Sequence, residues 1–266
     1  MGLNSPNCRL ETLLLANCRV TSCSCKILAQ VLEKSSLKEV DLSRNQIRDI
    51  GVKMLCSSLM LPQGALKTLR LASCGLTDQC CSSLASVLHS NSALKCLELN
   101  ENKNLQDSGL ELLASGLSSP HCKLESLSLT HCDLTEQSCS SLASALSSSP
   151  LTHLDLSYNP IKDRGLTLLS DGLRRSRVQT LRLCGSLITA EGVRSLAPVL
   201  RETRLEVLDL SLNKLQDVAP LEAALQGPHS LHTLRLKDCG ISKEGCEALR
   251  SLAIPILRTS RNWNYI

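Results

Sequence analysis

One spacing constrains this chain more than any other feature. The pattern L-x-x-L-x-L-x-x-N-x-I, seen in full in LTHLDLSYNPI from Leu151 to Ile161, recurs along the whole length. It opens at Leu10, Leu37, Leu66, Leu94, Leu124, Leu151, Val178, Leu205 and Leu231, at steps of 26 to 30 residues. Within each unit two leucines stand two apart, as Leu154 and Leu156 do, so they point to one side of a short strand. The residues between and beside them, such as His153, Asp155 and Ser157, point to the other side. The Asn at position 159 ends the strand, and its side-chain amide can satisfy backbone groups where the chain turns.

A helical segment follows each strand. Thr21 stands where a helix cap would, ahead of apolar Cys25, Leu28, Ala29 and Leu32 at i, i+3, i+4 and i+7. The set recurs as Thr77 with Cys81, Leu84, Ala85 and Leu88, and as Thr135 with Cys139, Leu142, Ala143 and Leu146. Alternate repeats carry another version: Asp107, Gly109, Leu112, Leu113, Gly116 and Leu117, then Asp163, Gly165, Leu168, Leu169, Gly172 and Leu173. The strand-ending residue alternates in step, reading Cys18, Asn45, Cys74, Asn102, Cys132, Asn159, Ser186, Asn213, Cys239, with Ser186 standing where a cysteine is expected. Repeats of one period, each unable to bury its own apolar side, make a solenoid. The expected fold is α/β, a right-handed curved solenoid or horseshoe of about nine strand–helix repeats. A parallel sheet would line its concave face and helices its convex face.

The array spans residues 1–252. GLNSPNCRLETL at Gly2–Leu13 nearly copies GLSSPHCKLESL at Gly116–Leu127, where it finishes a helix, so the chain reads as beginning mid-repeat, a fragment or isoform of something longer. Residues 253–266 leave the pattern after Pro255 and hold Trp263 and Tyr265, as a cap over the last repeat or a contact patch.

This two-type alternation resembles the ribonuclease-inhibitor class of leucine-rich repeats. SPHCKLESLSL, LDLSYNPIKDRGLTLL and RLASCGLTDQCCSSLASVL are similar to the C-terminal repeats of NOD-like receptors, cytosolic innate-immune sensors. The resemblance implies a non-catalytic interaction or ligand-sensing module, used in ligand sensing or autoinhibition, within a longer chain holding a nucleotide-binding NACHT module. No G-x-x-x-x-G-K-[ST] loop is present here. Two alternatives stand beside it: a stand-alone ribonuclease-inhibitor-like protein, and a GTPase activator of leucine-rich-repeat type. The first would need a concentrated acidic face for a basic enzyme, whereas this chain carries 29 basic and 25 acidic residues. No acidic tail of the second kind follows the repeats.

No enzyme motif appears, neither G-x-S-x-G nor H-E-x-x-H, and no catalytic residue, cofactor or metal site is expected. The 15 cysteines recur at the repeat period, which reads as packing of small buried hydrophobes rather than a disulfide or zinc framework. With no N-x-S/T site, signal pattern or long apolar run, the expected setting is the cytoplasm, away from membranes. Basic residues are scattered, and the run Arg174, Arg175, Arg177 reads as a solvated turn, so no nucleic-acid partner is expected.

The partner is expected to be a protein, or the NACHT-type module of the same parent chain, with the fragment itself a monomer. Its candidate site is the residue between the last two leucines of each strand, which leaves the core: Asp41, Arg70, Glu98, Ser128, Asp155, Arg182, Asp209 and Arg235, with Trp263 and Tyr265 beyond. Charge alternates along that ladder, with neighbours about 4.8 Å apart across a sheet.

Overall fold

The structure is a computed structural model that describes residues 8–61, 64–90, 92–250 and 256–257. The chain divides into two units, the first running to Asp133 with Ser148–Leu151, the second holding Leu134–Ser147 and everything from Thr152 on. In the first unit strands alternate with helices: β1 (Thr12–Leu14), α1 (Ser22–Lys34), β2 (Glu39–Asp41), α2 (Arg48–Leu59), β3 (Thr68–Arg70), α3 (Cys81–His89), β4 (Cys96–Glu98), α4 (Gln106–Leu117) and β5 (Ser126–Ser128). The second holds α5 (Cys139–Leu146), β6 (His153–Asp155), α6 (Lys162–Leu173), β7 (Thr180–Arg182), α7 (Ala190–Leu196), β8 (Val207–Asp209), α8 (Ala219–Leu225), β9 (Thr233–Arg235), α9 (Lys243–Arg250) and β10 (Ile256–Leu257). Strands pair in parallel and in chain order, so each unit is a stack of strand–helix repeats forming an open α/β solenoid. β10 pairs with β9 and adds a strand beyond the boundary expected at residue 252. Trp263 and Tyr265 lie outside the described residues.

Strands β2 to β9 are three residues long with the middle residue inward. Val40, Leu69, Leu97 and Leu127 sit in register in the first unit, and Leu154, Leu181, Leu208 and Leu234 in the second. All are buried, as are the leucines two residues on, such as Leu156, Leu183 and Leu210. With no Phe in the chain, layers of like aliphatic side chains fill the interior.

The strand-ending ladder does what its chemistry suggests, and the two residue types divide the work. Asn213 donates its amide to the carbonyls of Leu183, Leu210 and Ser211 at 2.7, 2.9 and 3.2 Å. Its Oδ1 accepts the N–H groups of Ser186 and Ile188 in the preceding repeat at 3.0 and 2.9 Å. Asn45 and Asn102 repeat this arrangement. The cysteines reach backward: Cys74, Cys132 and Cys239 donate S–H to the carbonyls of Leu42, Leu99 and Leu210 at 3.1–3.2 Å. Ser186 points its hydroxyl the same way, but its shorter side chain leaves it 3.5 Å from the Leu156 carbonyl, a weaker contact than the cysteines make. Ser186 is nonetheless fully buried and its N–H is held by Asn213, so the stack continues through it.

The helices pair unequally. Glycines of the Asn-type helices close onto the Cys-type helix before them: a Cβ on Gly51 would lie 2.9 Å from Cys25 Sγ, and one on Gly165 2.9 Å from Cys139 Sγ. At the other kind of junction a carboxylate brackets a threonine. Asp49 accepts the Thr77 N–H and hydroxyl at 2.9 and 2.8 Å, and Asp163 accepts those of Thr189 at 2.8 and 2.7 Å. Both aspartates lie in a first helical turn, where the N-terminal dipole favours their charge.

Some local expectations shift. Thr21 occupies the N-cap of α1 but makes no side-chain cap bond. Thr77 and Thr135 accept from the N–H of Gln79 and Gln137, ahead of α3 and α5, which begin at Cys81 and Cys139. Ala143 is half-buried while Ala145 is buried, and Leu112 is exposed while Leu110 and Leu166 line the core.

All fifteen cysteines are free thiols. Burial raises Cys56 and Cys132 to about 12 and Cys25, Cys74 and Cys239 to about 11. Cys80 is pushed up by its hydrogen bond with Cys81 and then by burial. A raised thiol stays protonated near neutral pH and is a poor nucleophile. Brief iodoacetamide treatment should therefore label the exposed Cys18 and Cys23 first, and spare these buried thiols until the chain is unfolded. Mass spectrometry reads the order; early labelling of Cys56 or Cys132 would contradict their burial in the core.

Candidate interaction surface

The side chains on either side of each inward leucine form the outer face of the strands, free of core duty. The sequence-derived ladder lies there in two runs: Asp41, Arg70, Glu98 and Ser128 in the first unit, and Asp155, Arg182, Asp209 and Arg235 in the second. Parallel pairing in register brings each residue beside the next.

In the first unit Arg70 is held from both sides. Its Nε lies 3.0 Å from Glu98 and its Nη1 bonds Glu39 on the neighbouring strand. The Glu39 hydrogen bond raises the guanidinium pKa, opposed by the smaller effect of burial. Sequence reasoning missed Glu39, which sits one column over from the ladder; a carboxylate two residues before Asp41 was the available signal. Asp41 accepts the Ser43 N–H at 2.9 Å. Ser128 donates to Asn100 Oδ1 at 2.7 Å, a further open-face group that the ladder omitted.

In the second unit the ion pairs are looser. Arg182 Nη1 lies 3.6 Å from Asp155 Oδ2, and Arg235 Nη1 3.6 Å from Asp209 Oδ2. On the rim of this unit stands Tyr158, 48% exposed, in a loop with φ of 57°. Its phenol is raised in pKa first by a hydrogen bond with Cys184 and then by that thiol's charge. Burial in turn raises Cys184, which the Tyr158 bond opposes.

The basic run near residue 175 offers no open anion site at its first member. Arg174 Nη1 bonds both oxygens of Glu202, at 2.7 and 2.8 Å. Among the described residues no three His, Cys, Asp or Glu side chains gather as a metal ion requires, and no helix is long and apolar enough to cross a membrane. What the outer face provides is side-chain donors, acceptors and exposed apolar groups on a rigid backbone, the materials of protein recognition.

Comparison with known proteins agrees with this reading of the repeats. A family model described as Leucine Rich repeat matches residues 33–56, 90–114, 121–143, 147–170, 203–219 and 227–249. The chain is 40% identical over 256 residues to NACHT, LRR and PYD domains-containing protein 12 of Homo sapiens, covering 93% of this chain and 24% of that protein. It is 37% identical over 253 residues to the ribonuclease inhibitor of Mus musculus, covering 92% of this chain and 55% of the inhibitor. Among solved structures, the leucine-rich repeat-containing protein LegL7 of Legionella pneumophila superposes with a TM-score of 0.60 at 19% identity, over 94% of this chain and 82% of that one. The chain thus spans about a quarter of its NACHT-containing relative and about half of the inhibitor. It belongs to the leucine-rich-repeat family, with repeats of the ribonuclease-inhibitor type related to those of the NOD-like receptors.

Proposed function

We propose that this chain is the non-catalytic interaction and sensing module of a cytosolic NOD-like receptor, acting in ligand sensing or in autoinhibition of a NACHT module in the parent protein. The observation that carries the reading is the outer strand face, where acidic and basic side chains alternate on strands paired in register. Such a face selects a partner by pattern. Similarity to NACHT-containing proteins across nearly the whole chain supports the choice of parent. Free, buried thiols suit a reducing compartment.

The test compares two charge reversals. Arg182→Glu sets a carboxylate between Asp155 and Asp209, whereas Arg194→Glu alters a helix arginine paired with Glu191. Against a partner purified with the wild-type chain, biolayer interferometry should show Arg182→Glu weakening binding about tenfold, with Arg194→Glu near wild type. Equal effects would move the contact off the strand face.

Similarity to the ribonuclease inhibitor favours a second reading, inhibition of a ribonuclease. The ladder argues against it, since a basic enzyme calls for a concentrated acidic face, whereas Asp155 and Asp209 are largely covered and each stands beside an arginine. A pancreatic-type ribonuclease assay with the chain in molar excess separates the two readings.

A further inference from the structure

The two units meet solvent differently along the same ladder. Arg70 in the first unit is 29% exposed and its donors are directed at two glutamates. In the second unit the balance is reversed. Asp155 and Asp209 are only 20% and 13% exposed, and the Oδ1 of each accepts a backbone N–H, from Ser157 at 2.9 Å and Ser211 at 3.0 Å. Their arginines are 47% and 37% exposed and stand 3.6 Å from the remaining oxygen, beyond hydrogen-bond length. The carboxylates are therefore the more covered and the engaged members of the ladder, while the guanidinium forks are the more exposed. A guanidinium has five N–H donors in a plane that matches a carboxylate.

Beside these arginines runs an apolar rim. Tyr158, Gly185 and Leu212 occupy one position in successive repeats, their N–H groups bonding the carbonyls of Cys184, Ser211 and Lys237 at 2.7, 2.9 and 2.7 Å. A Cβ on Gly185 would lie 3.0 Å from Tyr158 Cδ1 and 3.2 Å from Cε1, so the ring lies across the glycine toward Leu212. Leu187, two residues after Gly185, is 60% exposed, and Leu212 is 44% exposed. Tyr158, Leu187 and Leu212 all have left-handed backbone, with φ of 57°, 58° and 57°. Bulky L-residues are disfavoured there by roughly 1–2 kcal/mol. Left-handed backbone recurs at the same loop positions in other repeats, at Arg44, Ser73, Glu101 and His131 and at Arg19, Gly75 and Asp133, so what is particular to this stretch is that the side chains there are large, apolar and exposed.

We infer that this rim, together with Arg182 and Arg235, docks an acidic protein segment carrying a bulky apolar side chain. The apolar residue covers Tyr158 and Leu212, and carboxylates flanking it bridge to the two guanidiniums. Because the rim N–H groups are already bonded within the loop stack, recognition runs through side chains and not through strand addition. An exposed aromatic side chain together with arginines on nearby strands is the composition of an interface hot spot. The inference rests on the outer strand face being an interaction surface and adds the sign and shape of the partner.

The intact chain would be used to select from a displayed library of random linear peptides, and enriched peptides measured by fluorescence anisotropy. The expected peptides carry a leucine, phenylalanine or similar residue flanked by Asp or Glu. Their affinity should fall about tenfold in Tyr158→Asn and in Arg182→Gln, and stay unchanged in Arg70→Gln. Asparagine tolerates left-handed backbone, so Tyr158→Asn removes the ring without unfolding the loop, as circular dichroism verifies. Enrichment of Lys- and Arg-rich peptides that lose binding in Asp155→Asn would overturn the inference yet leave the strand face as the interaction surface. Enriched peptides indifferent to all of these substitutions would overturn both, and a library with no enriched sequence would overturn the docking site.

Discussion

Asn213→Ala is expected to remove about 3–5 kcal/mol of stability from the repeats around it, since each buried backbone group left unmet costs about 1–3 kcal/mol. The substitution strips the Ser186 and Ile188 N–H groups of their acceptor and the Leu183 and Leu210 carbonyls of a donor. No water replaces the amide easily, because Asn213 is 2% exposed. Asn213→Asp sharpens the test. Its carboxylate can still accept both N–H groups but faces the carbonyls with no proton to offer, so it should be no better than alanine at neutral pH. Acidification should recover part of the loss as the carboxyl gains a donor. Urea unfolding gives the total, and hydrogen exchange at the Ser186 and Ile188 amides shows where the loss falls, which matters because repeat arrays need not unfold in one step. An alanine variant within about 1 kcal/mol of the parent would mean that the amide does not carry these bonds.

Gly172→Ala should be of similar size, about 3 kcal/mol, the upper end for overpacking. A Cβ there would lie 2.5 Å from the Ala143 carbonyl oxygen, 2.6 Å from its Cα and 2.9 Å from its carbonyl carbon. All three are backbone atoms of α5, so no side chain can swing aside and α5 and α6 must part. Gly109→Ala is the control. Its Cβ would meet Cys81 Sγ at 3.1 Å and Asp78 Cα at 3.5 Å, a contact that a small adjustment relieves. Thermal unfolding should therefore fall well below the parent for Gly172→Ala and only slightly for Gly109→Ala. Equal shifts would show that the close approach of α5 and α6 is not what requires glycine.

What could be read from the sequence was whatever depends on period. The inward leucines and the outward ladder follow from residues two apart on a strand, repeated at one period, and the Asn at strand ends was legible as a partner for turning backbone, though not its reach into the preceding repeat. Contacts that depend on the neighbouring repeat were not legible. The Glu39–Arg70–Glu98 bridge joins residues 31 and 28 apart in two columns, and only the register selects Glu39 as a partner. The Asp49 and Asp163 brackets reach threonines 28 and 26 residues onward for the same reason. Tyr158 was plainly in view as one of few aromatics, but its exposure depends on the left-handed loop and on Gly185 leaving room for the ring.

The unequal packing of the helices bears on how such a chain can change in length. Gly51, Gly109 and Gly165 each fit against a cysteine of the helix before them, and Asn45, Asn102 and Asn213 each serve the backbone of the repeat before them. Deleting one repeat would set two of a kind side by side, with a glycine facing no thiol or an amide facing the wrong loop. Deleting a Cys-type and Asn-type couple together rejoins an Asn-type repeat to a Cys-type repeat, a junction bracketed by aspartate and threonine just as before. Insertion or loss should therefore be tolerated in steps of two repeats rather than one, so that a surface built on one couple could be moved along the array as a cassette.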